Sequence, residues 1–207
     1  MIQTKKELQF YIMADMMMNR GKFRWSLFDC IKHLFLPDYI MQYLKSMRYC
    51  CYFAESYTPP YMLPMRLYHG IRYRKLGIKL GFSLGCQALG YGVVISHHGT
   101  IVVGNSNRIG NYAVLHTSTC ITDNGKMIGD ALYLSTGAKM TRKLTLGNNV
   151  SVASNSVVNN DFIEGNCLLT GMPAVKKRDA VAWYVRDGEA YRKKVESIEL
   201  LKCKLNI

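Results

Sequence analysis

The sequence predicts a mainly β chain: a triangular parallel β-helix flanked by α-helical segments. Three observations predict it. Aliphatic residues recur every six positions through the middle of the chain, glycines recur at every third of those positions, and the composition changes at both ends of that segment.

The repeat runs through Leu89, Ile95, Val103, Ile109, Leu115, Ile121, Ile128, Leu134, Met140, Leu146, Val152 and Val158. The steps are six residues, except for eight between Ile95 and Val103 and seven between Ile121 and Ile128. An amphipathic helix has no reason to repeat at six. The residue after the slot is glycine at Gly90, Gly110, Gly129 and Gly147, every third slot. A coil of three six-residue sides stacks these glycines along one corner, where their tolerance of positive φ is expected to serve the turn. Stacked coils lie about 4.8 Å apart, with one aliphatic residue per side pointing inward. The slots make four coils, and Leu84 begins a partial coil below them.

The chain thus divides into residues 1–80, α-helical; 81–174, the β-helix; and 175–207, a C-terminal helical tail interrupted at Gly188. In the first part, apolar residues recur at helical spacing at Leu8, Tyr11 and Ile12, and again at Tyr39, Ile40, Tyr43, Leu44 and Met47, a helix that Pro37 is expected to start. Pro59, Pro60 and Pro64 mark a break before the basic stretch MRLYHGIRYRKLGIK. That stretch is expected to be a solvated helix face, with peripheral membrane association as the alternative. An open β-helix end exposes unpaired strand groups, so the helical segments are expected to cover both ends.

Composition narrows the function classes. Charged residues are only 20% of the chain, against 49% apolar, which excludes disorder. The net charge of +13 suits a polyanionic small molecule or an anionic membrane surface. Nucleic acid is not expected, because neither a zinc pattern nor an RNP-like aromatic motif accompanies the charge. Seven cysteines at irregular spacing make no disulfide framework and no zinc pattern, so a reducing, cytoplasmic setting is expected. The N-terminal apolar run is broken by Asp15 and lacks a small-residue cleavage site, so it does not read as a signal peptide. There is no run of 18 uncharged apolar residues that would span a membrane.

Function is sought where the repeat breaks. The eight-residue step Ile95-Ser-His-His-Gly-Thr-Ile-Val carries two extra residues, and one coil later the slot at Leu115 is followed by His116. Ile95, Leu115, Leu134 and Val152 share a corner column, followed by Ser96, His116, Ser135 and Ala153. Two histidine-bearing positions therefore stack on one edge with small residues above them, a polar pocket at the foot of a narrow groove. Histidine suits general-base work because its unperturbed pKa is near neutral. Metal binding by His97, His98 and His116 is the weaker alternative, since adjacent strand residues point to opposite faces.

The stretch GYGVVISHHGTIVVGNSNRIGNYAVLHTSTCIT, with IGDALYLSTGAKM, LGNNVSVASNSVVN and LLTGMPAVKK, resembles the hexapeptide-repeat acyltransferases, in particular their serine acetyltransferase-like branch. The resemblance covers about residues 80–178. It implies a left-handed β-helix, a homotrimer, and acetyl-CoA as donor without a metal. The family's catalytic histidine falls on His97, and His98 falls where the family varies. Two departures put L-serine as acceptor in doubt. Phe82 stands where a carboxylate would partner the histidine, and the loop expected to carry a second histidine is shortened to TDNGKM. The stretch YHGIRYRKLGIKLGFSL is similar to members found with bacterial surface-polysaccharide genes.

The expected activity is therefore acetyl-CoA-dependent O-acetylation of a sugar hydroxyl, with serine O-acetylation as the alternative and an idle β-helix scaffold as the reading from another class. His97 is the expected base, with His116, His98 and Ser96 at the acceptor. Ser135, Thr136, Ala153, Ser154 and Gly171 are expected to line the donor groove, with Lys139 and Lys176 near its phosphates.

Overall fold

The computed structural model describes residues 2–56 and 59–207. Four helices lead into the coils: α1 (Lys5–Arg20), α2 (Leu27–Phe35), α3 (Tyr39–Glu55) and α4 (Leu63–Leu80). A short helix α5 (Trp183–Arg186) and the C-terminal α6 (Glu189–Lys204) follow them, separated at Gly188 as the sequence predicts.

The coils form three parallel sheets. One stacks Phe82–Leu84, Ile101–Val103, Thr119–Ile121, Lys139–Met140 and Val157–Val158. A second stacks Arg108–Ile109, Met127–Ile128 and Thr145–Leu146, extended by single bridges to Leu89 below and Phe162 above. The third stacks Val114–Leu115, Tyr133–Leu134, Val150–Val152 and Cys167–Gly171. The register places the repeat slots in three inward columns, and Leu84 sits below Val103 as the start of a partial coil. All twelve slots are at most 5% exposed, so the hexapeptide period is the inward-facing period of the coil.

The glycine corner forms, but for a different reason from the one expected. Gly90, Gly110, Gly129 and Gly147 do not adopt positive φ; Gly92, Tyr112, Ala131 and Asn149, two residues further on, do. Space is what requires glycine at the corner. A Cβ on Gly90 would lie 2.6 Å from the Gly110 carbonyl carbon, and one on Gly110 would lie 2.2 Å from Asp130 Oδ1. Those side chains form a ladder. Asn111, Asp130 and Asn148 each accept a hydrogen bond from the backbone N–H one coil below, at Tyr91, Asn111 and Asp130 (3.2, 2.7 and 2.8 Å).

The lower end of the β-helix is closed by side chains that act as a further strand. Arg48 of α3 donates to the carbonyls of Leu89 (2.7 Å) and Gly90 (2.6 Å), and Asp15 of α1 accepts from the Val93 N–H (3.0 Å). Asn19 donates to the Val93 carbonyl (2.7 Å) and accepts from the Ile95 N–H (3.0 Å). Arg48 and Asp15, both at most 1% exposed, also pair with each other through two contacts of 2.8 and 3.1 Å. The aspartate that interrupts the N-terminal apolar run is thus part of the seal between helices and coils. α3 is started by its Asp38 cap, which accepts from the Met41 N–H (3.1 Å), with Pro37 just outside it.

The tail differs from the helix expected for residues 175–207. Residues Ala174–Asp179 form a strand antiparallel to Cys167–Gly171, which pairs the edge that the last coil would otherwise leave open. The tail then turns back down the side of the β-helix. There Trp183, Val195 and Ile198 form one buried cluster with Phe10 of α1 and with Tyr91, Val94, Tyr112 and Val114 on the outer face of the first coils. The C-terminal helix therefore flanks the lower coils and does not cap the upper end.

Candidate active site

The edge singled out by the sequence lies where the third sheet turns into the first. The segment between Ile95 and Ile101 bulges outward, held at one end by Asn19 and at the other by the Gly99 N–H donating to the Leu80 carbonyl (2.9 Å). Gly99 has φ 142°, a conformation open to glycine, and a Cβ there would crowd Thr117 Cγ2 at 3.1 Å. Ser96, His97 and His98 are all exposed on this bulge. Among the described residues His97 has no hydrogen-bond or ion-pair partner, which leaves its ring free to meet a hydroxyl group.

His116 lies one coil above. Its N–H donates to the Leu134 carbonyl (3.1 Å), which continues the third sheet's ladder. Burial lowers its pKa, and so does the charge of nearby His97, while Asp187 acts in the opposite sense. His116 Nε2 is 3.0 Å from the Tyr133 hydroxyl. Burial and the charge of Asp187 raise the pKa of Tyr133, so the phenol keeps its proton. A phenol that keeps its proton can donate to an unprotonated Nε2 or accept from Nε2–H, so Tyr133 holds the His116 ring in either tautomer.

The tail supplies the other side of this edge, which the sequence did not suggest. Trp183 is buried and anchored by its Nε1–H to the Tyr112 carbonyl (2.8 Å). That anchor sets Arg186 over the Tyr133 ring, 4.6 Å from its centroid, with Nη1 donating to Ser151 Oγ (3.2 Å) and an ion pair to Asp187 (2.6 Å). Tyr133, Ser151, Arg186 and Asp187 thus form one aromatic and polar cluster beside His116.

Above the histidines the column continues through small residues. Ser135 and Ala153 are half-buried, and Thr136, Ser154 and Gly171 are exposed. The Ser135 N–H donates to the Val152 carbonyl (3.1 Å), and the Ala153 N–H donates to the Leu169 carbonyl (2.9 Å). Small side chains therefore follow one another up successive coils. The two lysines are less favourably placed. Lys139 stands exposed on the neighbouring sheet, at the register of Cys120 and Val157. Lys176 pairs with Asp179 (2.7 Å) on the terminal strand, with Glu164 and Cys167 among the groups that raise its pKa after Asp179.

The two sequence departures have clear structural forms. Phe82 points into the core, where its ring meets Tyr43 edge-on at 5.3 Å. The shortened loop closes on itself: the Lys126 ammonium donates to the Thr122 carbonyl (2.8 Å) and hydroxyl (3.0 Å), and to Asn124.

The fold and the repeat define a hexapeptide-repeat β-helix protein, and comparison with known proteins narrows that class. The sequence is 27% identical over 92 residues to a serine acetyltransferase of Synechococcus elongatus, a match that covers 41% of this chain and 37% of that relative's length. The structure is similar to that of Neisseria gonorrhoeae serine acetyltransferase, with a TM-score of 0.63 and 16% identity over 86% of this chain and 68% of that one. It is also similar to a serine acetyltransferase in complex with CoA (TM-score 0.59, 16% identity, 83% and 70% covered). A soybean serine acetyltransferase in complex with serine gives a TM-score of 0.59 at 17% identity, with 82% and 69% covered. No family model matches the sequence. The chain carries the left-handed parallel β-helix of the serine acetyltransferases, with helices before it and a helix after it.

Proposed function

We propose that this protein is an acetyl-CoA-dependent O-acetyltransferase with His97 as general base. The observation that carries the reading is that the exposed bulge bearing His97 and, one coil above, His116 lie on one β-helix edge at the foot of a column of small residues. His97 takes the proton from an acceptor hydroxyl, and the oxygen attacks the thioester carbonyl carbon. Backbone N–H groups hold the oxyanion. The C–S bond then breaks, and the leaving thiolate takes the proton from His97. His116, fixed by Tyr133, orients the acceptor together with Ser96 and His98.

The donor's pantetheine arm is placed along Ser135, Thr136, Ala153, Ser154 and Gly171, with Lys139 and Lys176 toward the phosphates. Because Lys176 already pairs with Asp179, its loss is expected to matter less than obstruction of the groove. Ala153→Trp should raise the KM for acetyl-CoA steeply with folding unchanged, and Lys176→Ala should raise it modestly and in a salt-dependent way. Unaltered acetyl-CoA affinity in Ala153→Trp would move the donor to another edge.

The acceptor we favour is a sugar hydroxyl in surface-polysaccharide biosynthesis. Phe82 leaves His97 without a carboxylate partner, and the closed loop around Lys126 brings no second histidine. L-serine is the second reading, supported by the similar soybean structure with serine bound. A homotrimer would complete each groove from two chains. The cytoplasm, where acetyl-CoA is available and thiols stay reduced, is the compartment this activity calls for.

A further inference from the structure

We propose that the N-terminal helices seat this protein on an anionic lipid surface, through the outer face of α4 flanked by α2. Leu63, Leu67, Ile71, Arg74 and Ile78 lie at spacings of four, four, three and four, one face of a helix. All five are exposed, whereas His69, Leu76, Gly77 and Leu80 turn the opposite face inward. Ile78 is 86% exposed, more than a solvated helix has reason to leave an isoleucine. Beside α4, α2 is begun by a capping box between Ser26 and Asp29, yet it buries none of its residues. Phe28 and Phe35 are 75% and 77% exposed. A helix so well started and so little used internally presents its apolar face to something outside the chain.

Charge identifies the occupant. α4 carries Arg66, Arg72, Arg74, Lys75 and Lys79 and no acidic residue. Among the described residues none of these five forms an ion pair. A second copy of the same face would set cations against cations, so a self-complementary contact is disfavoured. Apolar side chains between unpaired cations instead match the acyl boundary and the anionic headgroups of a bilayer. No helix among the described residues is long and apolar enough to cross a membrane, so the association is at the surface. The proposal is independent of the acetyltransferase reading.

The test is co-sedimentation of the full chain with vesicles of phosphatidylcholine alone and of equimolar phosphatidylcholine and phosphatidylglycerol. The wild type should partition onto the anionic vesicles at least about tenfold more strongly, and salt should weaken it. Leu67→Glu/Ile71→Glu and, separately, Arg74→Ala/Lys75→Ala should each lose about tenfold or more, with the helical circular dichroism signal unchanged. Light scattering without vesicles should give the same mass for wild type and variants. Equal binding to neutral vesicles, no binding, variants that bind like the wild type, or a mass that falls in the α4 variants would each overturn the proposal. The last outcome would assign this face to another copy of the chain.

Discussion

His97→Ala is expected to lower turnover by ~10²-fold or more while leaving acetyl-CoA affinity and folding intact. The size follows from the role: a positioned base typically contributes ~10²–10⁴-fold. The selectivity follows from the structure. The side chain is exposed and has no hydrogen-bond partner among the described residues, so its removal leaves no buried group unsatisfied. The loop's own anchors, Asn19 on Ile95 and the Leu80 carbonyl on Gly99, are untouched. Steady-state rates at saturating acetyl-CoA, with a thermal melt of the same preparation, check both parts. A fully active His97→Ala beside an inactive His98→Ala would assign the base to the neighbouring histidine.

Asp15→Ala is expected to cost about 3–5 kcal/mol of stability, because it strands the Arg48 guanidinium in the interior. Arg48 and Asp15 are both essentially inaccessible, and the substitution also frees the Val93 N–H on the open edge of the first coil. At roughly 2–4 °C per kcal/mol for a chain of this size, the melting temperature should fall by about 10 °C. The double substitution Asp15→Leu/Arg48→Met should recover only part of this loss, since it removes both charges but leaves the Val93 N–H and the Leu89 and Gly90 carbonyls without their partners. Calorimetry on the two variants separates these cases. A mild Asp15→Ala would mean that water reaches Arg48 and that the seal between helices and coils is looser than its geometry implies.

The coils were legible because a β-helix writes its geometry into one-dimensional spacing. A slot such as Met140 faces inward because it is six residues from Leu134 and Leu146, and no distant contact is needed to say so. The same register put the bulge that carries His97 and the coil that carries His116 on one edge. The glycine corner was legible as a position but not as a cause. Crowding between coils depends on how closely Gly110 approaches the Asp130 side chain, which the spacing alone does not show. Arg186 and Asp187 were out of reach, because they meet Tyr133 and His116 only after the tail folds back on its Trp183 anchor. The buried role of Asp15 was equally hidden. In the sequence it interrupts an apolar run, and only Arg48, 33 residues away, explains it.

The acetyltransferase reading is tested most directly by following acetyl-CoA thiol release with purified protein across a panel of sugar hydroxyl acceptors and L-serine. The account predicts acceptor-dependent release, with one O-acetylated product formed per thiol, preference for a sugar over L-serine, and loss of both signals in His97→Ala. Preference for L-serine would keep the chemistry and change the acceptor. The absence of acceptor-dependent release across the whole panel, or release undiminished in His97→Ala, would contradict it.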